Sequence, residues 1–172
     1  MKQLILGGVR SGKSKLAEQV AMDSDLKVTY IATALSGDDE MQKRILQHQQ
    51  RRPETWGIAE APYELAACLL QHAKEDGCLL VDCLTLWLTN RLCADDEALF
   101  IKELNAFLAI IDELPGDIIF VSNETSMGII PLGELARRFC DEAGVLHQQV
   151  AQRCDRVVLT VAGLAHVLKD EA

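Results

Sequence analysis

The sequence predicts an α/β fold, a mostly parallel central sheet flanked by helices, in a single domain. Three observations predict it. Short apolar runs alternate with stretches long enough for helices, the pattern of strand–helix–strand units. The runs are nearly continuous in Val, Ile, Leu or Tyr, as in strands buried on both faces. No repeat, low-complexity tract or linker interrupts the 172 residues, a length that suits one compact domain.

The strands are expected at Gln3 to Leu6, Val28 to Ala32, Cys78 to Cys83, Asp117 to Val121 and Arg156 to Val161. Helices are expected between them. Lys13 to Met22 carries Leu16 and Val20 one turn apart, and Leu99 to Leu114 places Leu, Phe and Ile at helical spacing. Leu132 to Arg153 makes one or two helices. Right-handed crossovers then give a mostly parallel sheet. Ser36 to Pro62 is polar with little strand pattern. It reads as an insertion over the active face, part helix and part loop.

Composition narrows the function classes. Hydrophobic residues make up 49% of the chain, enough for a sizeable core and against global disorder. The net charge of -9 argues against non-specific nucleic-acid binding, which needs a broad basic surface. The six cysteines, Cys68, Cys78, Cys83, Cys93, Cys140 and Cys154, contain no Cys-x-x-Cys pair. They read as reduced thiols, with Cys78 and Cys83 in a buried strand. No run approaches the roughly 20 apolar residues of a membrane span, and Gln3-Leu4-Ile5-Leu6 is too short for a signal peptide. A cytoplasmic location follows.

Gly7-Gly8-Val9-Arg10-Ser11-Gly12-Lys13-Ser14 matches Gly-x-x-x-x-Gly-Lys-Ser between an expected strand and an expected helix. The glycines let backbone N–H groups approach phosphate oxygens, and the helix N-terminus adds its positive end. Lys13 would reach the β- and γ-phosphates, and the Ser14 hydroxyl would ligate Mg²⁺. The bland alternative is a glycine-rich turn without a ligand. Asp82 closes an apolar strand, where such enzymes hold a metal or water; its alternative is a helix N-cap.

Arg44, His48 and Arg52 are spaced four apart, with Arg51 adjacent and Pro53 favouring a helix end. Clustered guanidinium groups suit a polyphosphate. A neutral imidazole beside a triphosphate can attack phosphorus and form a phosphoramidate. A solvated polar helix face explains the same pattern. His72, His147 and His166 read as surface or structural, the first and last in helix or tail context. Trp56 and Trp87 read as packing residues. Glu124, after the fourth strand, lies at the carboxyl edge where ligands bind in open α/β sheets.

Several runs together carry a resemblance: Leu6 to Ser14, Tyr30-Ile31-Ala32-Thr33-Ala34, Asp38-Asp39-Glu40-Met41, His48, Arg51-Arg52-Pro53, Asp82-Cys83-Leu84-Thr85-Leu86-Trp87-Leu88-Thr89-Asn90, Ser122-Asn123-Glu124 and Met127-Gly128-Ile129-Ile130-Pro131. Over almost its whole length the chain resembles the bifunctional adenosylcobinamide kinase/adenosylcobinamide-phosphate guanylyltransferase family of cobalamin biosynthesis. The resemblance implies a RecA-like P-loop domain and a homotrimer. It implies phosphorylation of adenosylcobinamide by ATP or GTP, then transfer of GMP from GTP to adenosylcobinamide phosphate through a guanylylated histidine, here His48. The implied nucleotide contacts are Gly7, Gly8, Val9, Arg10, Ser11, Gly12, Lys13, Ser14, Ala32, Thr33, Ala34, Gln49, Gln50, Arg51, Arg52, Glu60 and Asp82. Thr125, Ser126, Val145 and His147 depart from the family's pattern. Two other readings stand beside this one: a small-molecule kinase in which His48 only binds phosphate, and a regulatory module that changes shape on binding GTP.

Overall fold

The structure, a computed structural model, describes residues 1–35 and 53–171. In chain order its elements are β1 (Lys2–Gly7), α1 (Lys13–Asp23), β2 (Lys27–Ala32), β3 (Gly57–Glu60), α2 (Leu65–His72), β4 (Gly77–Asp82), α3 (Leu84–Cys93), α4 (Glu97–Ile110), a 3-10 turn (Ile111–Glu113), β5 (Asp117–Asn123), α5 (Glu134–Arg153), β6 (Arg156–Val161) and β7 (Leu164–Asp170). Seven strands form one sheet in the order β3-β2-β4-β5-β1-β6-β7. Every neighbouring pair is parallel except β6 with β7. Among the described residues, no helix is long and apolar enough to cross a membrane.

Alternation along each strand divides the core between two faces, because successive side chains point oppositely. Leu4, Leu79, Val81, Ile118 and Phe120 share one cluster with Leu65, Leu69, Trp87, Phe107 and Leu146 from α2 to α5. Ile5, Tyr30, Leu80, Ile119 and Val121 face the other way, against Ala17 and Ala21 of α1. Both faces are thus covered, which explains why the inner strands read as continuous apolar runs. Phe107 packs tilted against Trp87, ring centres 5.3 Å apart, and meets Phe120 edge-on at 5.6 Å. The Trp87 indole N–H donates to the Tyr63 carbonyl at 2.9 Å, so its one polar group is satisfied.

All five expected strands and the three expected helical stretches are present, with 132–153 forming a single helix from Glu134. Four differences are informative. Gly57–Glu60 is a strand at the sheet edge, although Ser36 to Pro62 carries little strand pattern. Its four residues are mostly exposed, and only pairing with β2 makes them a strand. β4 ends at Asp82, and Cys83 is the N-cap of α3 rather than a strand residue. α2 and α3 are helices beyond the three expected stretches. Finally, His166 lies in β7 rather than in a helix or tail. The β6–β7 hairpin closes through Ala162 and Gly163, at φ 52 and 81, the paired left-handed geometry of a two-residue hairpin turn.

His147 is buried on α5, and its Nε2 lies 2.7 Å from the Ser122 hydroxyl on β5. Burial pushes its pKa below the usual 6.5, against the opposing pull of Glu124. The unfolded chain therefore binds the proton more readily, so stability present above pH 6.5 is lost as pH falls below it. Urea unfolding at pH 7.5 and 5.5 should show this loss, and His147→Gln should make the loss smaller. Phe107→Ala should lower the unfolding free energy by about 3–5 kcal/mol, as for other fully buried aromatic truncations, with urea melts as the check.

Candidate active site

The glycine-rich loop joins β1 to α1 as the sequence requires. Gly7 closes β1, and a Cβ there would collide with the Ser11 side chain and lie 2.6 Å from the Thr160 carbonyl oxygen. No other residue type fits that approach. Arg10 and Gly12 both have positive φ, at 56 and 100, so the loop reverses twice before Lys13 begins the helix. A Cβ on Gly12 would also stand 3.2 Å from Gly163 Cα. The hairpin turn is bonded to the loop directly, Gly163 N–H to Ser11 C=O at 2.8 Å. The β6–β7 turn therefore buttresses the loop, a relation absent from the sequence reading. An Ala-Gly pair between alternating residues is a weak hairpin signal, and nothing in it points to Ser11.

Gly8, Val9 and Arg10 are exposed, and Lys13 and Ser14 are half-buried. Lys13 Nζ rests on the Gly8 carbonyl at 3.3 Å. The Ser11 hydroxyl is buried and has no partner among the described residues. An open loop of backbone N–H groups, one ammonium and a helix N-terminus can hold phosphate groups.

Register then aligns the other expected residues along one sheet edge. Glu60 pairs with Ala32, and Ala32 with Asp82. Asp82 stands beside Val121 of β5, whose Asn123 pairs with Gly7. Ala34 lies just beyond β2. Thr33 is fully buried. Its hydroxyl accepts from the Cys83 N–H and donates to the Cys83 carbonyl, both at 2.7 Å. Its carbonyl accepts from Asn90 at 2.8 Å. Thr33 thus secures β2 to the start of α3. His48, Gln49, Gln50, Arg51, Arg52 and Arg44 lie outside the described residues.

Behind the edge runs a polar network that sequence reasoning missed. Asn123 Nδ2 donates to Thr85 Oγ1 at 2.8 Å, and Thr85 Oγ1 lies 3.1 Å from Cys83 Sγ. Burial first, then the nearby Asp82 charge, pushes the Cys83 thiol up to about 11. Cys83 is therefore a protonated, packed thiol rather than a nucleophile. All six cysteines are free.

Glu124 lies one residue past β5, and its N–H donates to the Gly7 carbonyl at 3.0 Å. Burial raises its carboxyl pKa, but hydrogen bonds from the Ser126 hydroxyl and N–H outweigh that, aided by His147 and Met127, and hold it below the usual value. It is an anion fixed beside the loop. Among the described residues, no three His, Cys, Asp or Glu side chains come together as a metal cluster. A Ser hydroxyl and one carboxylate are the donor types of a Mg²⁺ ion completed by water and substrate phosphates, so Ser14 and Asp82 fit that ion.

The family model described as cobinamide kinase / cobinamide phosphate guanyltransferase matches residues 3–168. The bifunctional adenosylcobalamin biosynthesis protein CobP of Pseudomonas aeruginosa is 58% identical over 171 residues, covering 99% of both chains. CobU proteins of Salmonella typhimurium and Escherichia coli, named in the same way, are each 36% identical over 98% of this chain and 100% of their own. Among solved structures, the RadB recombinase aligns over 92% of this chain and 73% of its own, with TM-score 0.52 and 15% identity. A type III secretion ATPase aligns over 92% and 51%, with TM-score 0.57 and 12% identity. These two show the fold alone, a RecA-like α/β architecture. By sequence over nearly its full length, the chain belongs to the cobinamide kinase / cobinamide phosphate guanyltransferase family.

Proposed function

We propose that this protein phosphorylates adenosylcobinamide with ATP or GTP and then transfers GMP from GTP to the product, giving adenosylcobinamide-GDP. The observation that carries the reading is the family match over residues 3–168 on a chain whose glycine-rich loop lies at the carboxyl edge of its sheet. One domain carries both reactions. Its partners are the two corrinoid substrates, with neither nucleic acid nor membrane. The assembly is a homotrimer in the cytoplasm.

In the first reaction the acceptor hydroxyl attacks the γ-phosphorus and releases its proton to solvent water. A new O–P bond forms, the bond to the β-bridging oxygen breaks, and the nucleoside diphosphate leaves with the electron pair. The loop N–H groups from Gly8 to Ser14 and the Lys13 ammonium offset charge on the phosphates as it shifts toward the leaving group. Ser14 and Asp82 would hold Mg²⁺, which screens the phosphate charge when bound. In the second reaction an imidazole nitrogen of His48 attacks the α-phosphorus of GTP and expels pyrophosphate. A phosphate oxygen of the acceptor then attacks the same phosphorus, and the N–P bond breaks to restore His48. Arg44, Arg51 and Arg52 offset charge in this step. Gln49, Gln50, Glu60 and residues 32–34 complete the nucleotide contacts.

GTP labelled at the α-phosphate should leave acid-labile, alkali-stable label on the wild-type protein and none on His48→Ala. Wild-type protein that phosphorylates cobinamide but takes up no label is a plain kinase. Lys13→Ala should lower kcat for phosphorylation by roughly 100- to 1000-fold, the scale for losing one donor to developing charge. Steady-state assay with either nucleotide measures it, and an unchanged kcat removes Lys13 from the reaction.

A further inference from the structure

Phosphorylation of cobinamide requires a large acceptor, a corrin ring fringed with neutral amides, to sit where its hydroxyl arm reaches the glycine-rich loop. One face of the molecule fits such a ligand. From Glu124, tied to Gly7 by its N–H, the chain leaves the sheet edge and runs through residues 125–133 to α5. This strap carries no charged side chain. Met127, Ile129 and Leu132 along it are 76%, 97% and 98% exposed. Scattered exposed apolar residues are ordinary, but a contiguous apolar run of this kind marks a binding surface.

The strap is anchored at both ends. Glu124 Oε1 accepts from Ser126 N–H at 2.7 Å, from the Ser126 hydroxyl at 2.6 Å and from Met127 N–H at 3.2 Å. Arg137, in the first turn of α5, donates to the carbonyls of Pro131 and Leu132. The apolar side chains are therefore held outward rather than left loose.

Beside the strap, a cavity of about 520 Å³ opens between the second half of α3 and the first two turns of α5. Leu92, Cys93, Leu135, Ala136 and Phe139 form its walls, with Thr89 at one side and Glu134 where the strap enters α5. The Thr89 hydroxyl is engaged with the Thr85 carbonyl at 2.8 Å, so this wall too offers mainly carbon. The volume falls in the range of small-molecule sites, roughly 300–1000 Å³.

We propose that the strap and this cavity form the corrinoid-binding face, an inference that rests on the function proposed above. The strap begins at the residue bonded to Gly7, so a ring lying along it has its hydroxyl arm at the loop. Its lack of charge matches a ligand whose side chains are neutral amides. Its concave neighbour accepts one edge of the ring.

The test uses the whole 172-residue chain carrying Ile129→Ser and Leu132→Ser together, both sites being so exposed that folding is spared. The KM for adenosylcobinamide should rise about tenfold or more, the loss expected when two apolar contacts go, while the KM for GTP stays unchanged. Independently, saturating dicyanocobinamide should slow alkylation of exposed Cys93 by N-ethylmaleimide in the wild-type protein, read by peptide mass spectrometry. An unchanged acceptor KM with unprotected Cys93 overturns the assignment. So does a changed sedimenting mass with unchanged acceptor KM, which gives the face to a second copy of the chain. Wild-type protein that transfers no phosphate to cobinamide refutes the function itself, and the assignment with it.

Discussion

The candidate site depends on the in-register parallel pairing of β4, β5 and β1. Parallel strands end on the same side, so pairing alone brings Asp82, Asn123 and Gly7 to one edge. β2 and β3 extend the row to Ala32 and Glu60. Register is fixed because a one-residue slip would turn each strand's buried set to the wrong cluster. Leu4 and Leu6 belong to one cluster and Ile5 to the other, so the core that stabilises the sheet also sets the position of the loop that follows.

Close approach does the rest at the loop. Gly7 lies against the Thr160 carbonyl and Ser11, and Gly12 against Gly163. These contacts press the loop onto the β6–β7 hairpin, while Glu124 holds it from the β5 side. Behind the edge, Thr33, Cys83, Thr85, Asn90 and Asn123 satisfy one another. A buried polar group left unpaired costs on the order of 1–3 kcal/mol, so this network holds the ends of β2, β4 and β5 in one arrangement.

Charge is used locally. A chain of net charge -9 presents at its loop an ammonium, N–H dipoles and a helix N-terminus, which attract phosphate without a basic surface. Glu124 is held as an anion by its own turn and shapes the exit toward the uncharged strap. Polar chemistry and apolar surface thus meet within a few residues of Gly7.

The sequence by itself determined the alternating elements, the glycine-rich loop and the acid that closes β4. These rest on local rules: apolar period, positive φ at glycine, and a motif that needs fixed spacing. The runs that resemble the family came from the same residues. Tertiary structure decided what local rules do not contain. Gly57–Glu60 is a strand because β2 offers an unpaired edge, and His166 lies in β7 because the Ala162-Gly163 turn folds it back on β6. The bond of the Thr33 hydroxyl to Cys83, fifty residues away, is likewise invisible in the local sequence. The support of Ser11 by Gly163 and the strap beside its cavity also join residues far apart in the chain. Such contacts form only when strand order is set, and strand order is a property of the packed sheet rather than of any one segment.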